Sequence, residues 1–411
     1  MKGGVMSQQS YDFDFTSVME RRGRDAIAVD MVGRGGMAPS APDEGFDFIP
    51  MWVADMNFPT APSVTRAIIE RAQHPAFGYF SPRPAYYRAI IDWQRDRHGV
   101  EGLEPRHIGY ENGVLGGVAS AVRAFAAPGD AVLLHSPTYI GFTGCLEGAG
   151  FKIELSPLVQ DADGVWRMDY DDMARRLRAT HAHAAVFCSP HNPTGRVWER
   201  WEIERALEVY AAADCVAVSD EIWSDIVRPG AVHVPTQSLG EDARRRTVAL
   251  YAPSKTFNLA GLVGSYHVIF DDYLRDRVRS QAGKSHYNSM NVLSMHALMG
   301  AYSQEGRAWV DELNRVIAGN VDWACDHIEA TYPGVAASRP QGTYMLYLDC
   351  AEWCEARGCD VGDVLRAGWR VGVGWQDGRP FHGPCHIRVN LALPLPRVQE
   401  AFSRLDRYVF C

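Results

Sequence analysis

Four short apolar runs mark the middle of the chain: "DAVLLHSP" (130–137), "AAVFCSP" (184–190), "DCVAVSDE" (214–221) and "TVALYAPS" (247–254). Each is too short for a stable helix, lacks a polar face and stops on Ser, Pro or Asp. Strands of this kind are buried on both faces, as in a parallel sheet covered by helices. Helical stretches fill the intervals: "ERWEIERALEVYAAA" lies between the second and third runs, and "PSVTRAIIERAQ" and "AYYRAIIDWQRDRHG" lie upstream. The alternation predicts an α/β fold with a large, mostly parallel sheet. Towards the C-terminus the pattern changes. The long helical segment "SQEGRAWVDELNRVIAGNVDWACDHIEATYPG" leads to strand-like "GTYMLYLD" and "HIRVNLAL", then to a terminal helix. This reads as a smaller α+β domain. The expected division is an N-terminal arm contributing to the small domain (1–50), a large α/β domain (51–295) and a small C-terminal domain (296–411).

Composition narrows the function classes. A formal net charge of -9 argues against nucleic acid as a partner, because phosphate neutralisation needs a basic face. No segment approaches the ~20 apolar residues of a membrane span. The start "MKGGVMSQQSYDFDF" has no apolar core of signal-peptide length, so a cytoplasmic location is expected. The nine cysteines do not form a disulfide framework in such a compartment. Cys350, Cys354 and Cys359 lack both a C-x-x-C pair and a histidine at zinc-ligand spacing, so no metal is expected there.

In open α/β sheets, ligands gather beyond the carboxyl ends of the strands. The residues that close the apolar runs are therefore the candidates. In "ENGVLGGVASAVRAFA" a Gly-rich start, Gly113 to Gly116, runs into an amphipathic helix, where free N–H groups and the helix dipole suit an anion. "HSPTYIGF" places Tyr139 at the sheet edge, and read alone it is a half-buried core tyrosine. In "CSPHNPTGRVW" two prolines constrain the turn that presents Asn192, while His191 is expected to bond locally. "CVAVSDEIWSD" ends an apolar strand on Asp220, and a carboxylate there needs a cation or strong donor. Finally, Lys255 of "YAPSKTFNLAGL" has no acidic neighbour close in sequence; alone it reads as a solvated charge. One small molecule needs all five features. Pyridoxal 5′-phosphate has a phosphate, a flat ring, a phenolic oxygen, a pyridine nitrogen and an aldehyde that condenses with lysine. A carboxylate keeps the ring nitrogen protonated, and the lysine later moves the substrate proton.

In this order the motifs resemble the fold-type I pyridoxal-phosphate enzymes, the aspartate aminotransferase superfamily. "MWVADMNFP", "FGYF", "SPHNPTGRVW", "SDEIWSDI" and "APSKTFNLAGL" resemble its cystathionine β-lyase (C–S lyase) branch, and the likeness runs from about residue 12 to the end. The resemblance implies the aspartate aminotransferase fold and pyridoxal 5′-phosphate as cofactor. It implies that Lys255 binds the cofactor, Asp220 partners its ring nitrogen, Asn192 donates to its phenolic oxygen and Tyr139 stacks on its ring. Val114 and Leu115 backbone groups with Ser254 would hold the phosphate, and Trp223 would lie near the phenolic side. Tyr79 matches a tyrosine that reaches the phosphate from the neighbouring subunit, which implies a homodimer with shared sites. Arg388 matches the arginine for the α-carboxylate of an amino-acid substrate, with Ala54 and Asp55 beside it. The implied reaction is α,β-elimination from L-cysteine S-conjugates to thiol, pyruvate and ammonia, with a place in methionine biosynthesis. Three positions depart from the pattern. Val263 stands where many aminotransferases have a phosphate-binding arginine, Asn57 where the branch has aspartate, and Trp223 where related lyases have histidine or tyrosine. The first favours a lyase; the other two leave substrate choice open. An aminotransferase, or a lyase with an added regulatory protein-binding role, remains an alternative.

Overall fold

All eight strands of the main sheet lie in a single layer, and the four apolar runs form its centre. The computed structural model describes residues 11–284 and 289–411, so the first ten residues of the expected arm lie outside the described residues. In chain order the strands are β1 (Ile108–Glu111), β2 (Ala131–Ser136), β3 (Lys152–Gln160), β4 (Trp166–Met168), β5 (Ala184–Cys188), β6 (Val216–Asp220), β7 (Thr247–Tyr251) and β8 (Ser265–Val268). Their spatial order is β1-β8-β7-β6-β5-β2-β3-β4. Strands β3, β2, β5, β6 and β7 are mutually parallel. Strand β8 is antiparallel to both β7 and β1, and these two reversals point β1 the same way as β7.

Side chains of the central strands alternate between two cores, as the period of two requires. Val132, Leu134, Val186 and Val218 pack on one face under helices Val114–Phe125 and Asp272–Gly283. Leu133, Ala185, Phe187 and Ala217 pack on the other, under helices Tyr170–Thr180 and Arg200–Ala212. At Gly117 a Cβ would lie 2.9 Å from Leu250. Its absence lets helix Val114–Phe125 settle against β7.

The C-terminal part carries an antiparallel sheet of β9 (Ala336–Ala337), β10 (Met345–Asp349), β11 (Gln376–Asp377) and β12 (His386–Asn390), in the order β9-β10-β12-β11. The 28-residue helix Gln304–Thr331 and helix Leu395–Tyr408 share one core with it. Near the N-terminus, Ile49 and Pro50 pair in parallel with Val373 and Gly374, which ties the first segment to this C-terminal unit. Among the described residues, no helix is long and apolar enough to cross a membrane.

Candidate active site

Neighbouring strands in the sheet supply the expected residues. Strands β2, β5, β6 and β7 lie side by side in that order, so their carboxyl ends bring Tyr139, Asn192, Asp220 and Lys255 to one edge. Strand β1 points the same way and delivers Gly113 and the start of helix Val114–Phe125 to that edge. A cavity of about 200 Å³ opens there. Its walls include Ala54, Val114, Leu115, Tyr139, Asn192, Asp220, Trp223, Ser254 and Lys255.

At one end the backbone is prepared for an anion. Gly113 has φ +79°, a conformation a side chain would strain, and the first helical bond runs from Gly117 N–H to Gly113 O at 3.0 Å. The N–H groups of Val114, Leu115 and Gly116 therefore have no acceptor within the helix, at its positive end. Ser254 and Val263 line the same cavity.

At the sheet end lies Asp220, fully buried. Its Oδ1 accepts from Ile222 N–H at 3.0 Å, and nothing among the described residues bonds to Oδ2. Burial pushes its carboxyl up to about 7, against the opposing pull of the Ile222 N–H and of Lys255. Such a group awaits a cation. Asn192 accepts from Arg388 Nη1 at 3.2 Å through Oδ1, which leaves its Nδ2 hydrogens as donors without a partner among the described residues. His191 bonds locally, to Thr194 Oγ1 at 2.8 Å. Tyr139 meets Phe142 edge-on, with ring centroids 5.4 Å apart.

Lys255 is also buried. Its Nζ donates to Ala54 O at 2.7 Å and lies 5.7 Å from the centre of the Trp223 ring. Burial, then the Arg388 charge, pull the lysine down to about 8, while Asp55 and Asp220 oppose them. A neutral amine is therefore accessible near neutral pH, as a nucleophile or proton acceptor requires. Below it, Thr256 Oγ1 donates to Asp225 at 3.1 Å, and Asp225 also receives Trp93 Nε1 at 3.0 Å, so the turn carrying the lysine is anchored in the core.

Arg388, on β12, lies just behind the cavity wall. Its Nη2 donates to Trp52 O at 3.0 Å and to Gln376, and the Phe381 ring lies 4.4 Å from its guanidinium carbon. Burial lowers it to about 10, which leaves it charged at neutral pH. Ala54 reaches the cavity, whereas Asp55 does not line it; its carboxylate is held by Arg21. Tyr79 stands fully exposed beside Phe77 and Phe80, away from the cavity of its own chain. Tyr344, Asn390 and Arg21 were not legible from the sequence. Tyr344 donates to Ala54 O at 3.1 Å, and Asn390 Nδ2 to Val53 O at 2.8 Å. They act on backbone carbonyls, which carry no sequence pattern; the one available signal was an asparagine closing the apolar run "HIRVN".

The cavity thus offers anion donors at one end, an aromatic side wall, amide donors, a half-bonded buried carboxylate and a lysine with lowered proton affinity. These residues fit pyridoxal 5′-phosphate group for group. The family model described as aminotransferase class I and II matches residues 47–405. The chain is 32% identical to cystathionine beta-lyase PatB of Bacillus subtilis over 87% of this chain and 92% of that protein. It is 30% identical to protein MalY of Escherichia coli, over 82% of this chain and 84% of that protein. Among solved structures, cystalysin from Treponema denticola, which contains a pyridoxal 5′-phosphate cofactor, superposes with a TM-score of 0.87 at 27% identity, covering 97% of this chain and 98% of cystalysin. The PLP-bound C-S lyase from Staphylococcus hominis gives 0.85 at 25% identity, over 97% and 98% of the two chains.

Proposed function

Because this chain belongs to the class I and II aminotransferase family and its cofactor is pyridoxal 5′-phosphate, we propose that it is a carbon–sulfur β-lyase for L-amino acids with a sulfur substituent on Cβ. The observation that carries this reading is the disposition of cations. Arg388 sits one hydrogen bond from the cavity, suited to a single α-carboxylate. Arg21, the other guanidinium close by, is closed onto Asp55. A dicarboxylic substrate of an aminotransferase would want a second free cation, and among the described residues none lines the cavity beyond Lys255. The likeness to PatB and to the Staphylococcus hominis lyase supports the same choice.

When bound, the cofactor supplies an aldehyde for the substrate amine and a ring that takes up the electrons left at Cα. The chain's own residues do the rest. Arg388 orients the carboxylate, which sets the Cα–H bond towards Lys255. Lys255 takes that proton at Nζ. With the cofactor bound, Asp220 would hold a proton on the ring nitrogen, and Asn192 Nδ2 would donate to the phenolic oxygen. The C–S bond then breaks, its electron pair leaving with sulfur as thiolate, and the remainder hydrolyses to pyruvate and ammonia. Equal release of thiol, pyruvate and ammonia from a panel of β-thio amino acids tests the assignment.

The reading includes a homodimer. Phe77, Tyr79 and Phe80 are exposed together, an aromatic patch that suits burial by a second copy, with Tyr79 reaching that copy's phosphate end. If so, inactive Lys255→Ala and Tyr79→Ala protomers regain activity when mixed. Random exchange gives hetero-dimers in which one of two sites is whole, hence up to about one quarter of wild-type activity. No recovery after verified subunit exchange contradicts the shared site.

A further inference from the structure

Residues 52–56 pass between the lysine and the arginine of the site, and their carbonyls are held one after another. Trp52 O accepts from Arg388 at 3.0 Å, Val53 O from Asn390 at 2.8 Å, and Ala54 O from Lys255 at 2.7 Å and Tyr344 at 3.1 Å. Asp55 O accepts from Asn390 Nδ2 at 2.5 Å and Met56 O from Asn258 Nδ2 at 2.9 Å. This strap joins the group that would move the proton to the group that would hold the substrate. At Asp55 its side chain turns to the N-terminal segment. There Arg21 forks onto the carboxylate, Nη1 to Oδ1 at 3.2 Å and Nη2 to Oδ2 at 2.6 Å, and Nη1 also reaches Asn57 Oδ1 at 2.9 Å. The two side chains are only 11% and 19% exposed, so water screens the pair weakly.

We propose that Arg21 is a positioning residue for Lys255: its forked pair with Asp55 keeps the strap in register and offsets part of the charge that Asp55 presents to the lysine. The inference rests on Lys255 being the residue that holds the cofactor. The charged groups facing Lys255 are Asp220 from the end of β6, Asp55 from the strap and Arg388 from β12, with the Tyr344 hydroxyl and the Trp223 ring completing its surroundings. Asp55 and Asp220 favour the protonated nitrogen, and Arg388 disfavours it. Without Arg21, Asp55 acts uncompensated and the nitrogen keeps its proton to higher pH. Without Asp55, the Arg21 charge stands alone and the proton leaves at lower pH. The two changes have opposite signs, which simple loosening of the strap does not produce.

The test is a pH titration of the visible absorbance of the holoenzyme, which reports the proton at Lys255 Nζ with the cofactor attached. An uncompensated unit charge on a weakly screened partner, at an effective dielectric near 20, moves a midpoint by about 0.5–1 pH unit. Arg21→Met is expected to shift the midpoint up by that amount and Asp55→Asn down by a similar amount. Arg21→Lys, which keeps the charge and loses the fork, stays near wild type, and so does the double variant Arg21→Met/Asp55→Asn. Shifts of the same sign in both single variants, or a wild-type midpoint in either, overturn the proposal. If Arg21→Met does not retain cofactor, Arg21→Gln takes its place: an upward shift supports the compensation and any other result refutes it. Failure of the cofactor assignment looks different, since the pH-dependent band then persists in Lys255→Ala.

Discussion

Lys255→Ala is expected to abolish the borohydride-reducible link between protein and cofactor and to slow turnover by roughly 10³-fold or more, because the covalent anchor and the proton acceptor are lost together. The fold is expected to survive. The ammonium is buried, its one hydrogen bond runs to Ala54 O, and burial already lowers its proton affinity to about 8. Removing it relieves an unfavourable burial and opens space at a cavity wall. The chain makes this experiment unusually clean, since Lys2, Lys152, Lys255 and Lys284 are its only lysines. After reduction and proteolysis, mass spectrometry should find the cofactor on the peptide with Lys255 in wild type and on no peptide in the variant. Cofactor mass on any other lysine contradicts the assignment.

Asp220→Asn is expected to leave cofactor bound while slowing exchange of the substrate Cα–H with solvent deuterium by roughly 10²- to 10⁴-fold. That range corresponds to about 3–5 kcal/mol, the usual effect of removing one partner of a buried charge pair. An amide cannot hold a proton on the ring nitrogen as a carboxylate does, so the electrons left at Cα lose their sink. Unchanged exchange refutes the role. A second consequence appears without cofactor. The folded Asp220 carboxyl sits near 7, above its ordinary value of 3.8, because it is buried. In that case the unfolded chain releases the proton first, so stability declines as pH rises from about 4 to 7. Cofactor-free wild type should therefore lose thermal stability across that window relative to Asp220→Asn, whose side chain does not titrate.

Why some of this was readable in advance follows from burial. Strands β2, β5, β6 and β7 are enclosed on both faces, so their sequences are continuous apolar runs and their polar ends stand out. Strands β1 and β8 do not stand out as strands in the sequence, because they carry a buried hydrogen-bonded pair, Glu111 with His267 at 2.7 Å, that breaks the apolar pattern. Strand β3, on the outer side of β2, mixes buried, half-buried and exposed positions, and its Lys152, Glu154, Ser156 and Gln160 interrupt the apolar pattern. The same logic divides the site. Asp220, Asn192 and Lys255 present their side chains just beyond strand ends, where the sequence pattern marked them, and all three line the same cavity. Tyr344, Asn390 and Arg21 work through backbone carbonyls or through a carboxylate more than thirty residues away, relations that only the folded chain creates. Asp55 illustrates the limit: its motif marked it for the substrate, and the folded chain gives its carboxylate to Arg21.

In the proposed reaction, electrons left at Cα expel sulfur from Cβ. An aminotransferase makes the same first proton removal through Lys255 and Asp220, so variants at those residues do not separate the two. The fate of the cofactor does. A lyase returns it unchanged after every turnover, whereas transamination leaves it in the amine form until a keto acid restores it. The most direct measurement is pyruvate formation from a β-thio amino acid, such as cystathionine or cystine, by purified holoenzyme with no keto acid added. The expected result is linear pyruvate production over many turnovers, equal to thiol released, with far slower turnover of alanine or aspartate plus keto acid. A single burst limited to one equivalent per site, with sustained turnover only when a keto acid is supplied, contradicts the lyase assignment and identifies an aminotransferase.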